Sequence, residues 1–311
     1  MIIIWQIGVC AIYLVFVGEN IKQVMAAYGT YWNIRVLILC QYPLLAIICM
    51  VKDLKKLAHL STFSNICNLI GIVLVFYYLS YNDTTLDASH YNIKSLMDIP
   101  VFIGIVLFAI MAPGVLLSLE RGMANPKDFV GWCGLFSIGT MIICVVYAAM
   151  GVFGYLKYGV DCLGSITLNL PADEKKAHVA KTAFAGTIYT SFPLQNFAGW
   201  QTTWGLIKER FNDSVKVDMA LRLIIATIPF GLALAAPTLG PFIGLMGSLC
   251  LTIVGIFFPA LVHCSVSYPN NYGAGSWKLI TDILIMIVGT FCCFSGVYTS
   301  IIEIQEDLSK D

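Results

Sequence analysis

The sequence predicts an all-α fold, a polytopic membrane helical bundle of about nine transmembrane helices. Hydrophobic residues fill 59% of 311 positions and charged residues only 12%, about half the charged share of an ordinary soluble domain. Apolar runs recur along the whole chain, most of them near the roughly 20 residues that span a bilayer core. The connections between them are short and polar. A soluble chain of this length would need a charged surface that these residues do not supply. The net charge of +0 gives no electrostatic footprint for a nucleic-acid partner.

The runs fall near residues 2–24, 33–51, 61–80, 99–119, 132–155, 178–199, 221–236, 240–262 and 278–301. The seventh is short and ends at Ala235-Ala236-Pro237. The opening MIIIWQIGVC has no basic residue ahead of its apolar run, unlike a cleaved signal peptide, and reads as a retained or truncated span. No low-complexity linker divides the chain, so it reads as one domain, 1–311. With the first span running outward, the inner connections hold Lys52, Lys55, Lys56, Arg121, Lys127, Lys208, Arg210, Lys216, Arg222 and Lys278. The outer ones hold Lys22, Arg35, Lys94, Lys157, Lys175, Lys176, Lys181 and Lys310. That slight inner excess sets the orientation. It also places the triplet Asn82-Asp83-Thr84 outside, where Asn82 is a glycosylation acceptor, and Asn212-Asp213-Ser214 inside, where the triplet goes unused.

Most of the eleven cysteines, among them Cys10, Cys40, Cys67, Cys144, Cys250, Cys292 and Cys293, lie in apolar runs and read as small hydrophobes. No CxxC occurs, and His59, His90, His178 and His263 are far apart, so neither a metal nor a cofactor is expected. HExxH, GxSxG and paired intramembrane carboxylates are missing from the sequence too, which argues against an enzyme and leaves no catalytic residue to name.

The fourth run, LFAIMAPGVLLSLERGM, carries Pro113-Gly114 in its middle. Proline lacks an N–H and clashes with the carbonyl four residues back, and glycine is costly in a helix. Lipid cannot satisfy freed backbone groups, so residues 110–114 are expected to unwind inside the bundle. Half-helix ends of this kind hold charged substrates in secondary transporters; a plain proline kink is the alternative. Pro193, Pro237, Pro241 and Pro259 suggest further interruptions and favour transport. Thr187, Thr190 and Ser191 share a face just before Pro193, to meet a substrate or to bond back to their own helix. Asn65 and Asn68, three apart, would bond a neighbouring helix. Glu19 and Asn20 read as a solvated helix end, and His263 as a surface histidine at an inner boundary.

Four segments, GYLKYGVDCLGSITLNLP (154–171), NPKDFVGWCG (125–134), LKKLAHLSTFSNI (54–66) and APTLGPFIGLMGSLCLTIVGIFFPA (236–260), resemble insect proton-coupled amino acid transporters of the amino acid/auxin permease family. The resemblance runs over essentially the whole chain, and GSITLNLP is its most specific block. It implies a LeuT-like inverted-repeat (APC) bundle of eleven helices, two inverted five-helix repeats plus a final helix. Such a protein moves small neutral amino acids with protons across a plasma or endosomal/lysosomal membrane, its partners being the substrate, protons and the lipid bilayer and not nucleic acid.

Motif register aligns the first span here with the family's third, so the family's first two helices are missing, and the fourth span corresponds to the broken sixth. The resemblance then assigns Phe108, Ile110, Met111, Ala112, Pro113 and Gly114 to the substrate, beside Thr187, Thr190 and Ser191, with Glu120 as a coupling group. Family members read like FAFEGIGVVLPLENEM where this chain reads FAIMAPGVLLSLERGM, which puts Met111 in place of a glutamate and Pro113 in place of an apolar residue. A carrier rocks around a site shared by two broken helices, so the chain alone is not expected to drive proton-coupled uptake. The alternatives to a transporter are a transport-deficient amino acid sensor or scaffold, or an incomplete gene product.

Overall fold

The computed structural model describes residues 1–50, 54–80, 99–110, 123, 125, 128–129, 131, 134–208, 215–268 and 276–310. Nine helices lie among them: α1 Ile2–Ala27, α2 Ile34–Cys49, α3 Leu54–Ser80, α4 Ile99–Ile110, α5 Leu135–Tyr158, α6 Lys175–Ile207, α7 Val215–Ala235, α8 Leu239–Ser267 and α9 Trp277–Lys310. By length and composition α1, α5, α7, α8 and α9 can cross a membrane, and α2, α3 and α4 add shorter apolar segments. Helix α6, at 33 residues the second longest, carries too many polar groups for a lipid-facing span.

Burial follows composition. Helix α1 is apolar nearly all round and so is buried nearly all round, with Val9, Cys10, Ala11, Ile12, Leu14, Val15 and Val17 all inside. Helix α5 is the reverse, exposing Met141, Ile142, Val145 and Val152 as a span facing lipid would. Asn33 starts α2, its side-chain oxygen accepting the Arg35 N–H at 2.9 Å, an N-cap that meets one otherwise unpaired donor.

Two of the expected interruptions do not occur. Pro193 is buried inside a continuous α6, and Pro259 lies inside a continuous α8. Pro237 does separate α7 from α8, and Pro241 falls in the first turn of α8, where its missing donor costs nothing. Pro259 follows a stretch in which α8 widens into π-helical turns from Gly247 to Phe257. The Thr252 N–H there bonds the Gly247 carbonyl and the Phe258 N–H the Ile253 carbonyl, both five residues back. A ladder already changing partners absorbs one missing donor.

One compact unit comprises Met1–Trp5, Ile93–Cys144 and Pro241–Asp311. In it α4 crosses α8 with backbones touching: a Cβ on Gly104 would overlap Ser248, and one on Gly247 would overlap the Gly104 backbone. Along α8, Gly244 meets Ser300 of α9, Ser248 meets Gly296, and Ile256 meets Gly289, so the two helices run antiparallel. Small residues take these places because lipid supplies no hydrophobic drive between helices, and close packing must replace it.

The second unit comprises Gln6–Asn92 and Val145–Gly240. Here α2 packs on α1 over Gly18 and on α7 through Tyr42, which stands edge-on to Phe230 at 4.5 Å and shares a 2.8 Å hydrogen bond with Thr227. Helices α3 and α6 run antiparallel around a core of Val75, Tyr78, Leu79, Leu170, Ala177 and Ala180. Asn20, read from sequence as solvated, is buried and donates to the Phe16 carbonyl at 2.9 Å.

Two cations counted as loop charges belong to this interior. Lys181 is 1% exposed and donates to the Leu170 carbonyl at 3.0 Å. Arg222 is 4% exposed, bonds Asp218 at 3.2 Å, and lies 3.6 Å from the centre of the Trp200 ring, a cation–π stack of the kind worth most when desolvated.

The α4–α8 crossing yields a prediction. Gly104→Val should lower stability by about 2 kcal/mol or more, since the added atoms meet backbone and a packed serine. Gly151→Ala, on α5 with open space around it, should change stability by less than about 1 kcal/mol in either direction. Thermal unfolding of the purified protein in detergent compares them, and equal melting temperatures would contradict the crossing.

Candidate substrate site

The hydroxyl side chains singled out on α6 do converge, and on a residue of α3. Gly71 of α3 seats the Phe184 ring of α6, since a Cβ there would lie within 3.0 Å of it. The two backbones therefore approach closely enough for short side chains to bridge them. Ser64 donates to the Thr187 carbonyl at 3.0 Å, and Thr187 Oγ1 donates to the Ser64 carbonyl at 3.1 Å. Thr190 Oγ1 lies 2.9 Å from Ser64 Oγ, which is free to accept because its own proton is committed. Thr190 also has the Gly186 and Thr187 carbonyls at 2.9 Å as alternatives. Ser191 donates to the Thr187 carbonyl at 2.8 Å.

This is the bridging role that the sequence suggested for Asn65 and Asn68, displaced by one residue. Asn65 is exposed and Ser64 is buried. Ser64 and Gly71, two turns apart, are the α3 residues that meet α6.

The other predicted site residues lie elsewhere. Phe108 stands edge-on to Trp5 with ring centres 5.0 Å apart, and Ile110 is the exposed last residue of α4. Both belong to the unit that contains α4, α8 and α9. Met111, Ala112, Pro113, Gly114 and Glu120 lie outside the described residues, as does Asn82.

One group was missed in the sequence. Asp282, five residues into α9, is buried, and its Oδ2 lies 2.8 Å from Nδ1 of His263 on α8. His263, read as a surface histidine, is exposed as expected and also forms half of an inter-helix pair. A single acid inside the last apolar run was the available signal, because intramembrane carboxylates seldom occur without a partner or a task.

Ser64→Ala and Thr187→Val should each cost about 0.6–1 kcal/mol, in the lower part of the range of hydrogen bonds between membrane helices. The double variant should cost at least about 0.5 kcal/mol less than the sum, because both changes break one network. Reversible unfolding in mixed micelles supplies the cycle, and strict additivity would show that the two hydroxyls act independently.

The sequence profile of the family described as transmembrane amino acid transporter protein matches residues 1–302. The chain is 33% identical over 306 residues to the proton-coupled amino acid transporter-like protein pathetic of Drosophila melanogaster, an alignment covering 98% of this chain and 64% of the relative. It is 25% identical over 328 residues to amino acid transporter AVT3C of Arabidopsis thaliana, covering 97% and 70%. The chain therefore spans a little under two thirds of the Drosophila protein's length. It is a multi-pass membrane protein of a transporter family rather than an enzyme, and it belongs to the transmembrane amino acid transporter family.

Proposed function

We propose that this chain carries the translocation machinery of a secondary active transporter for small neutral amino acids, coupled to protons, in a plasma or endosomal/lysosomal membrane. The observation that carries the reading is the hydroxyl network of Ser64, Thr187, Thr190 and Ser191 between two helices of a transporter-family chain. Hydroxyls and carbonyls that exchange partners within one network can accept an ammonium or donate to a carboxylate at small net cost. In this reading residues 1–311 act as one domain with the inverted-repeat arrangement. Phe108, Ile110, Met111, Ala112, Pro113 and Gly114 are proposed substrate-binding residues in one unit, and the α6 hydroxyls are proposed ones in the other. Glu120 is the proposed coupling group. No cofactor is required.

A second reading is supported by Met111 standing where family members carry a glutamate. It is a sensor that binds an amino acid without completing a transport cycle.

Uptake of labelled alanine, glycine and proline at acidic and neutral outside pH separates the two. The chain is tested alone and grafted with those parts of the Drosophila relative that lie outside the match. Acid-stimulated accumulation in the grafted form, abolished by Glu120→Gln, is the expected result. Binding without accumulation in both forms would establish the sensor instead.

The reading also sets Asn82 outside the cell or in an organelle lumen. Expressed in cells, the chain should shift to higher mobility after glycosidase treatment, and Asn82→Gln should remove that shift. A shift surviving in Asn82→Gln but lost on changing Asn212 would invert the orientation.

A further inference from the structure

Within the unit that contains α3 and α6, an open and mainly apolar groove of about 690 Å³ runs down one side of α6. Lys175 and His178 line its mouth, beside Tyr28 of α1. Thr182, Ala183 and Gly186 continue it, facing Cys67 and Ile70 of α3. From Lys175 to Gly186 is eleven residues of helix, about 16 Å. The far end touches the hydroxyl network, since the Gly186 carbonyl is one of the three acceptors around Thr190. The groove thus runs from the Lys175 end of α6 to the turn whose carbonyl accepts from Thr190.

Its electrostatics are one-sided. The lining holds two basic side chains and no carboxylate. The nearest acid along the chain that is tied down, Glu174, accepts the Tyr78 hydroxyl at 2.6 Å. Two neighbouring cations are also engaged elsewhere: Lys181 on the Leu170 carbonyl and Lys157 on the Tyr78 carbonyl. The titratable groups around His178 are then Tyr28 from α1, Cys67 from α3, Lys175 on its own helix, and Asp173 and Glu174 just before it.

The imidazole is held in one tautomer. His178 Nε2 lies 2.5 Å from the Ala172 carbonyl, an oxygen that can only accept, so Nε2 carries the hydrogen. Nδ1 is buried and has no partner among the described residues. In the neutral ring Nδ1 bears a lone pair that repels a carboxylate; in the protonated ring it is a donor. Protonation without an acceptor would leave a buried N–H unpaired, which is costly. Tyr28 stands beside it, its ring 5.5 Å from the imidazole and 72% exposed.

We propose that this groove is an outer vestibule that captures the carboxylate of a small amino acid between Lys175 and His178, and that His178 takes up a proton in the same step. The proton supplies the donor that the carboxylate needs, and the carboxylate supplies the acceptor that the new N–H needs, so each raises the affinity of the other. The vestibule rests on the transport reading for its choice of ligand, but its test is a binding measurement that needs no transport.

Equilibrium binding of labelled alanine to the purified full chain in lipid nanodiscs is measured at about pH 5.5 and about pH 7.5, which bracket the range in which imidazoles change charge. Alanine should bind at least about tenfold tighter at the acidic pH, the lower part of the range for coupled sites. Propionate should compete with the same pH dependence, and alaninol, which has no carboxylate, should show none. His178→Gln keeps a donor for the Ala172 carbonyl but cannot titrate, and it should make alanine binding insensitive to pH. Lys175→Gln should weaken binding at both pH values while the pH ratio survives.

Melting temperatures close to the parent's show that the variants are folded, and if His178→Gln falls short of this, the alaninol comparison decides. A pH ratio that survives in His178→Gln, an equal ratio for alaninol, or no alanine binding at either pH overturns the vestibule. Acid-stimulated uptake without pH-linked binding would leave the transport reading standing and remove the vestibule. The opposite pattern would remove the transport reading and keep the vestibule.

Discussion

In hydrocarbon a polar group has no water to fall back on, so a buried donor gains by finding an acceptor inside the protein. The unit built on α1, α2, α3, α6 and α7 is arranged around that demand. Lys181 spends its charge on the Leu170 carbonyl, Gln23 reaches the Leu168 carbonyl at 3.1 Å, and Gln41 donates to the Leu37 carbonyl at 3.2 Å. Arg222 has both a carboxylate and an indole face. The α3–α6 contact is the same solution applied between helices, where Ser64 and Thr187 satisfy each other's backbone carbonyls.

What makes that contact suited to function is its reversibility. A buried ion pair loses about 3–5 kcal/mol when one partner leaves, so Arg222 and Asp218 are anchors. A hydroxyl whose alternative acceptors lie at equal distance loses far less. Thr190 has three acceptors at 2.9 Å, and releasing it toward a ligand exchanges one bond for another. The α4–α8 crossing is the opposite case, because Gly104 and Gly247 touch through backbone, and backbone contact leaves no room for exchange. Adaptable polar contact on α6 and rigid small-residue contact on α8 are different answers to the missing hydrophobic drive between membrane helices.

The class of fold was legible because composition decides it. Eight of the nine expected spans overlap an apolar helix, and the ninth, at 178–199, lies within α6. Prolines misled where the reason is physical. Pro193 and Pro259 both look like breaks, yet Pro193 is buried against protein, where a missing donor is tolerated, and α8 meets the exposed Pro259 with turns already widened. The α6 hydroxyls were found because they cluster. Ser64 was missed because its neighbours Asn65 and Asn68 are more polar, and only the packing shows that Asn65 points away. Asp282 escaped notice because a carboxylate near the end of a run reads as solvated until a facing histidine is found 2.8 Å away on another helix. Charge counting misassigned Lys181 and Arg222 for the same reason: a basic residue near a span end counts as loop unless its partner is known.

The most specific block of the sequence, GSITLNLP, finds its reason in the same bookkeeping of donors and acceptors. Gly164 lies against the Gly240 backbone, where a Cβ would come within 2.8 Å of a main-chain nitrogen, which fixes the start of the block. Thr167, Leu168 and Leu170 are buried, and carbonyls in the block accept from Gln23 on α1 and Lys181 on α6. Pro171 then ends it, and the next carbonyl, Ala172, is the one that holds His178 Nε2. A loop pinned at Gly164, Leu168 and Leu170 cannot drift, so the Ala172 oxygen stays where the imidazole needs it and the tautomer is set by the loop rather than by solvent. Residues that never touch a ligand thereby determine which histidine nitrogen is left to meet one.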